Sequence, residues 1–150
     1  MAETIVVGTD GSETAKVAVS EAVRLARALD ASVHVVSAFE PLTGARISGA
    51  PTGAAKVWEV HPDDQVEGIL SQAVAGMKMA GVDATPHAVR RDPADALLEV
   101  ADEVGATMIV VGSKGMHGAR RLSLGNVPNK VSHHARCNVL IVATDAPAAG

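Results

Sequence analysis

Two short runs, TIVVG at Thr4–Gly8 and TMIVV at Thr107–Val111, are apolar at consecutive rather than alternate positions. A strand with one wet face alternates, so these runs read as strands covered on both faces, as at the centre of a parallel sheet. Ser32–Phe39, Val82–Val89 and Asn138–Ala143 are three further strand-like runs, and a helical pattern lies between each strand and the next. Strands alternating with helices, joined by right-handed crossovers, predict an α/β fold: an open, doubly wound, five-stranded parallel sheet with helices on both faces. Pro86 falls inside the third strand, and proline cannot donate to a ladder on both sides. That strand therefore belongs at an edge, and the order 3-2-1-4-5 follows.

The helices carry their own signals. Ser12 or Thr14 can cap a helix from about Glu13 to Leu29, with Ala18, Ala22, Leu25 and Leu29 on one face. Val66, Ile69, Leu70, Ala73, Val74 and Met77 recur at three and four until Gly81 stops the pattern, and Met77 and Met79 near its end read as core filler. Asp92-Pro93-Ala94-Asp95 places Asp at an N-cap, Pro at N1 and acid in the first turn. That helix turns Leu97, Leu98, Ala101 and Val104 inward and ends at Gly105. Between Glu40 and His61 no period survives, so a long loop leaves the second strand on its C-terminal side, with Trp58 packing it down.

With 150 residues, 47% of them apolar, the chain suits one domain over residues 1–150 and a frayed tail at Asp145–Gly150. No apolar run is long enough to span a membrane, and MAETIVVGTDG lacks the basic start and apolar core of a signal peptide, so a cytoplasmic protein is expected. A single cysteine, Cys137, leaves no partner for an internal disulfide and is expected as a buried structural thiol. A net charge of −4 with one Phe, one Trp and no Tyr argues against nucleic acid as a partner.

One tract stands apart. From Met108 to Val142 the chain runs from a strand into a loop bearing Gly112, Gly115, Gly118 and Gly125, then into a helix opening at Asn126-Val127-Pro128, then into the last strand. Glycines let backbone N–H groups approach a ligand, and a helix N-terminus adds unpaired donors and a positive dipole end, so the order outlines a phosphate site. Between Val104 and Thr144 there is no acid, while Lys114, Arg120, Arg121, Lys130 and Arg136 give five positive charges, so the rest of a chain of net −4 carries −9. Lys114 is the first candidate for a side-chain phosphate contact, with Arg120, Arg121 and His117 on the same loop. In the order 3-2-1-4-5 the direction reverses between strands 1 and 4, so the Asp10-Gly11 loop and the glycine loop flank one crevice. Asp10 there reads equally as a ligand contact and as a turn-forming residue, and the two are compatible.

The spacing Gly112-x2-Gly115-x9-Gly125 resembles the G-x2-G-x9-G-[ST] signature of the ATP-binding branch of the universal stress protein family, and the likeness extends from VVGTDGS at Val6–Ser12 to NVLIVAT at Asn138–Thr144. The resemblance implies an adenine nucleotide, ATP, AMP or cyclic AMP, with room for Mg2+ carried by the nucleotide. It implies nucleotide-binding positions at Thr9, Asp10, Ala38, Val111, Gly112, Lys114, Gly115, Gly125, Asn126 and Val127. The hydroxyl residue expected after the third glycine is Asn126 here, which keeps hydrogen bonding and forgoes a phosphorylatable hydroxyl. Asn126 is further expected to cap the fourth helix, its side chain accepting from Asn129.

Other chemistries fail on the letters. There is no G-x4-G-K-[ST], no G-x-G-x-x-G and no G-x-S-x-G, and the adjacent His133 and His134 suit a helix C-terminus better than a metal. No matched acid–base pair accompanies the glycine loop. The expectation is a non-catalytic nucleotide-binding protein, a stress-response sensor or adaptor. A slow ATPase or nucleotidyl-transfer enzyme, or a ligand-free interaction module of the same fold, are the alternatives. The last strand, Asn138–Ala143, has no protecting charge or proline at its predicted edge, and the resemblance likewise implies a homodimer through it.

Overall fold

The computed structural model describes residues 2–39, 62–113 and 125–144. Trp58 and the rest of the 40–61 segment, Lys114, Gly115, His117, Gly118, Arg120 and Arg121 of the glycine loop, and the tail from Asp145 lie outside them. In chain order the elements are β1 (Thr4–Gly8), α1 (Glu13–Leu29), β2 (Ser32–Ala38), α2 (Pro62–Met79), β3 (Ala84–Val89), α3 (Pro93–Val104), β4 (Met108–Gly112), α4 (Asn126–His134) and β5 (Asn138–Val142). All strand pairs are parallel and the order is β3-β2-β1-β4-β5.

The two unalternating runs are central, as expected: Ile5, Val6, Val7, Ile109 and Val110 are all 0% exposed. Their side chains divide between two cores. Ile5, Val7, Val33, Val35 and Val110 meet α1 and α2, while Val6, Val36, Ile109 and Val111 meet α3 and α4. At Gly8 an added Cβ would lie 3.2 Å from a Leu97 methyl, so α3 rests directly on the end of β1.

Ser12, not Thr14, caps α1, its hydroxyl accepting from Ala15 N–H at 3.1 Å. Asp92 caps α3 by accepting from Asp95 N–H at 3.2 Å. Helices α1, α2 and α3 end alike, with a left-handed residue (Asp30, Gly81, Gly105) followed by an N–H that reaches back five residues. The bond from Val82 N–H to Met77 C=O is why β3 starts at Ala84 and not at Val82. Two expected core positions are corrected by the same geometry. Leu29 is 43% exposed and Met79 89% exposed, because Ala26 and Met77, at 2% and 1%, already fill the sheet side of the last turns. Cys137 is half-buried against the α3–α4 core, and burial pushes its thiol pKa up, which keeps it protonated.

The edge strand β3 carries Pro86 in register with Val35, where only one side of the ladder needs its donors. Beside it, His34 Nδ1 and His87 Nε2 lie 2.8 Å apart, joining β2 to β3 with half-buried rings. One ring must donate and the other accept, so the bond requires a neutral acceptor. Burial holds both pKa values below the ordinary 6.5; for His34 the charge of His87 adds to this and Asp83 opposes it, while for His87 Glu103 opposes it. A His whose pKa is lower folded than unfolded contributes stability above its unfolded pKa and loses it as pH falls toward the folded one. Stability should therefore drop on acidification from just above pH 6.5, and the double variant His34→Asn, His87→Gln should flatten the slope. Urea unfolding at stepped pH checks this, and equal slopes in both proteins would contradict it.

Candidate functional site

β1 and β4 lie side by side, with Ile5 opposite Met108 and Val7 opposite Val110, yet their other neighbours lie on opposite sides, β2 and β5. In an open α/β sheet this reversal opens a crevice beyond the strand C-termini. Thr9 and Asp10 follow β1, Val111 and Gly112 close β4, and Ala38 closes β2 next to them. The Thr9 N–H donates to Val36 C=O at 2.9 Å, which fastens the β1 exit to β2.

The turn after β1 is built by its own letters. Asp10 Oδ1 accepts from Ser12 N–H at 2.9 Å and Thr9 Oγ1 accepts from Gly11 N–H at 3.1 Å. Gly11 has φ +82, and a Cβ there would also lie 3.0 Å from Ile69, so both backbone angle and space require glycine. The turn-forming reading of Asp10 is thus realised. The residue is nonetheless exposed and has no cation partner among the described residues.

The start of α4 corrects one expectation. Gly125 is the N-cap, with φ −67 and ψ 171, and there is no side-chain cap bond; Asn129 N–H donates to Gly125 C=O at 3.1 Å rather than to the Asn126 side chain. The helix begins one residue earlier than that cap required, so Asn126 is its first residue and Pro128 its third. Asn126 N–H and Val127 N–H then point out of the helix with no acceptor among the described residues, and Pro128 has no donor to add. Lys130, one of the five basic residues of this tract, does not serve the crevice. It pairs with Asp95 at 2.9 Å and Asp92 at 3.5 Å, tying α4 to the acidic start of α3, and its hydrogen bond to Asp95 raises its pKa while lowering that of Asp95. His133 and His134 occupy the last turn of α4, as expected.

Two features escaped the sequence. Ser113, just past β4, donates its N–H to Val142 C=O at 2.7 Å, accepts at its C=O from Gly125 N–H at 2.9 Å, and accepts at Oγ from Thr144 N–H at 3.1 Å. Its only signal was a hydroxyl residue directly after a central strand. A groove of about 450 Å³ also runs between α1 and α2 from Thr9 and Gly11, walled by Val19, Val23, Ile69 and Met77 with Lys16 at its rim. Small facing residues, Ser20, Ala73 and Gly76, leave that space open. Among the described residues no three His, Cys, Asp or Glu side chains gather as a metal site, and no helix is long and apolar enough to cross a membrane.

A family model described as the universal stress protein family matches residues 1–143. The chain belongs to the universal stress protein family. A universal stress protein of Mycobacterium tuberculosis is 37% identical over 152 residues, covering 95% of this chain and 97% of the relative. A solved universal stress protein in complex with cAMP is 33% identical with a TM-score of 0.72, covering 96% of this chain and 98% of that one. The universal stress protein of Archaeoglobus fulgidus in complex with dAMP is 26% identical with a TM-score of 0.67, covering 93% and 97%. Both solved relatives hold an adenine nucleotide.

Proposed function

We propose that this chain binds an adenine nucleotide in the β1–β4 crevice and acts, without turning it over, as a cytoplasmic stress-response sensor or adaptor. The observation that carries the reading is the pair of donors at Asn126 and Val127, without an acceptor among the described residues, on a helix start fastened to the exit of β4, one of the two strands between which the sheet order reverses. Relatives solved with cAMP and dAMP support an adenine nucleotide as the ligand class. In this reading residues 1–150 form one nucleotide-binding domain. Thr9, Asp10 and Ala38 meet the nucleoside, Val111 and Gly112 form the floor, and Lys114, Gly115, Gly125, Asn126 and Val127 hold phosphate and ribose. ATP would bring its own Mg2+, with Asp10 the acid at hand.

Phosphate-holding donors without a paired acid and base position a nucleotide and leave most of the hydrolytic barrier standing. Calorimetry with cAMP, AMP and ATP should give saturable binding, while phosphate release from ATP stays at the buffer background. Steady release abolished by Asp10→Asn would promote the ATPase reading, and no saturable binding by any of the three would favour the ligand-free module.

The same reading includes a homodimer through β5. Val139, Leu140, Ile141 and Val142 are only half-buried on a strand that has one neighbour in the sheet, and apolar edges of this kind are normally covered. Sedimentation at tens of micromolar should give twice the mass of the 15.2 kDa chain, reverting to one chain in Ile141→Lys. A monomeric unsubstituted protein would contradict this.

A further inference from the structure

We propose that Ser113 is a positioning residue for the phosphate-facing donors of α4, a role that rests on the nucleotide reading above. The N-cap of α4 is a glycine with no side-chain cap bond, so the helix start lacks the usual local anchor. Its anchor is remote. Gly125 N–H is held by Ser113 C=O at 2.9 Å, and this bond sets where the next two N–H groups, those of Asn126 and Val127, point.

A carbonyl fixes a helix start only if the residue that bears it is itself held, and Ser113 is gripped twice, by the last residue of β5 and by Thr144 just beyond it. Its N–H donates to Val142 C=O at 2.7 Å and its Oγ accepts from Thr144 N–H at 3.1 Å, with Thr144 Oγ1 a further 3.3 Å partner of the hydroxyl. The two grips lie on either side of the Ser113 Cα, one on the backbone and one on the side chain. Only the second depends on residue type, so the hydroxyl is the part of the device that the sequence specifies. Without it the Ser113 Cα is held to β5 through the N–H alone, and the carbonyl on its other side, which Gly125 N–H reaches, loses part of its fixed direction.

Ser113→Ala removes the side-chain grip from a half-buried strand end and leaves every backbone bond chemically possible, so the fold is retained. The loss should fall on phosphate and not on the base. Affinity for AMP and cAMP should drop about three- to tenfold, the equivalent of one hydrogen bond's worth of misalignment, while affinity for adenosine stays unchanged. Ser113→Thr, which restores a hydroxyl at the same carbon, should recover AMP binding. Amide exchange at Gly125 should quicken in Ser113→Ala and return in Ser113→Thr, with or without nucleotide. Equal AMP affinity in Ser113→Ala and the unsubstituted protein would overturn the inference. So would an equal loss for AMP and adenosine, which marks a purely structural residue. If the unsubstituted protein binds adenosine and AMP alike or binds neither, the phosphate site itself fails and the inference with it, an outcome visible before any variant is compared.

Discussion

Gly125→Asp should raise thermal stability slightly while lowering affinity for adenine nucleotides by more than tenfold. An N-cap side chain lies over the first turn and accepts from the N2 or N3 N–H; glycine offers no such acceptor, and here N3 is Pro128, so Val127 is the donor in question. With φ −67 and ψ 171 the position is open to any residue, so aspartate enters without backbone strain. Its carboxylate would bond Val127 N–H and complement the dipole, contributing about 0.3–1 kcal/mol to the helix. The same carboxylate would sit where a phosphate is proposed and repel it. About 1.4 kcal/mol per decade makes a loss above tenfold a modest demand on two like charges in contact. Melting curves and calorimetry on one sample check both signs. Greater stability with unchanged nucleotide affinity would place the phosphate elsewhere.

Ile109→Ala should be the most destabilising of the simple truncations, by about 2–5 kcal/mol. Ile109 is 0% exposed, lies between Val6 of β1 and Val139 of β5 in the ladder, and faces the core made by α3 and α4. Neighbours fixed in a hydrogen-bonded sheet cannot close the cavity, so the cost includes the void as well as the lost burial. Against a total of about 5–15 kcal/mol for a typical domain, this removes a large share of the margin. Met79→Ala, at a residue 89% exposed, should stay within about 0.5 kcal/mol. Urea unfolding of the three proteins side by side gives the comparison, and similar midpoints for Ile109→Ala and Met79→Ala would contradict the burial pattern.

Those features of the fold that rest on chain-local chemistry were legible in the sequence. The run TIVVG announces a strand buried on both faces, Pro86 announces an edge, and Asp92-Pro93 and Gly105 bracket α3; each is a property of one residue or one short pattern, and from them the strand order follows. Where two side chains compete for one place, the letters alone did not decide. Leu29 and Ala26 both suit the inner face of α1, and it is Ala26 that the packed sheet buries while Leu29 stays exposed. Asn126 and Gly125 both suit an N-cap, and the bond from Asn129 N–H to Gly125 C=O decides for Gly125. Lys130 looked like part of a basic tract because its acid partners, Asp92 and Asp95, lie more than thirty positions earlier in the chain. The crevice was readable because strand order alone creates it. The role of Ser113 was not, because it depends on bonds to Val142 and Thr144 that only the closed sheet brings near.

The most direct test of the account is an amide titration of the unsubstituted protein, following Asn126 N–H and Val127 N–H by nuclear magnetic resonance as AMP, and separately adenosine, is added. Both amides should shift downfield and saturably with AMP, as expected for N–H groups taking up a phosphate oxygen, and much less with adenosine. Saturable AMP binding that leaves these two amides unmoved, or moves them equally with adenosine, would contradict it.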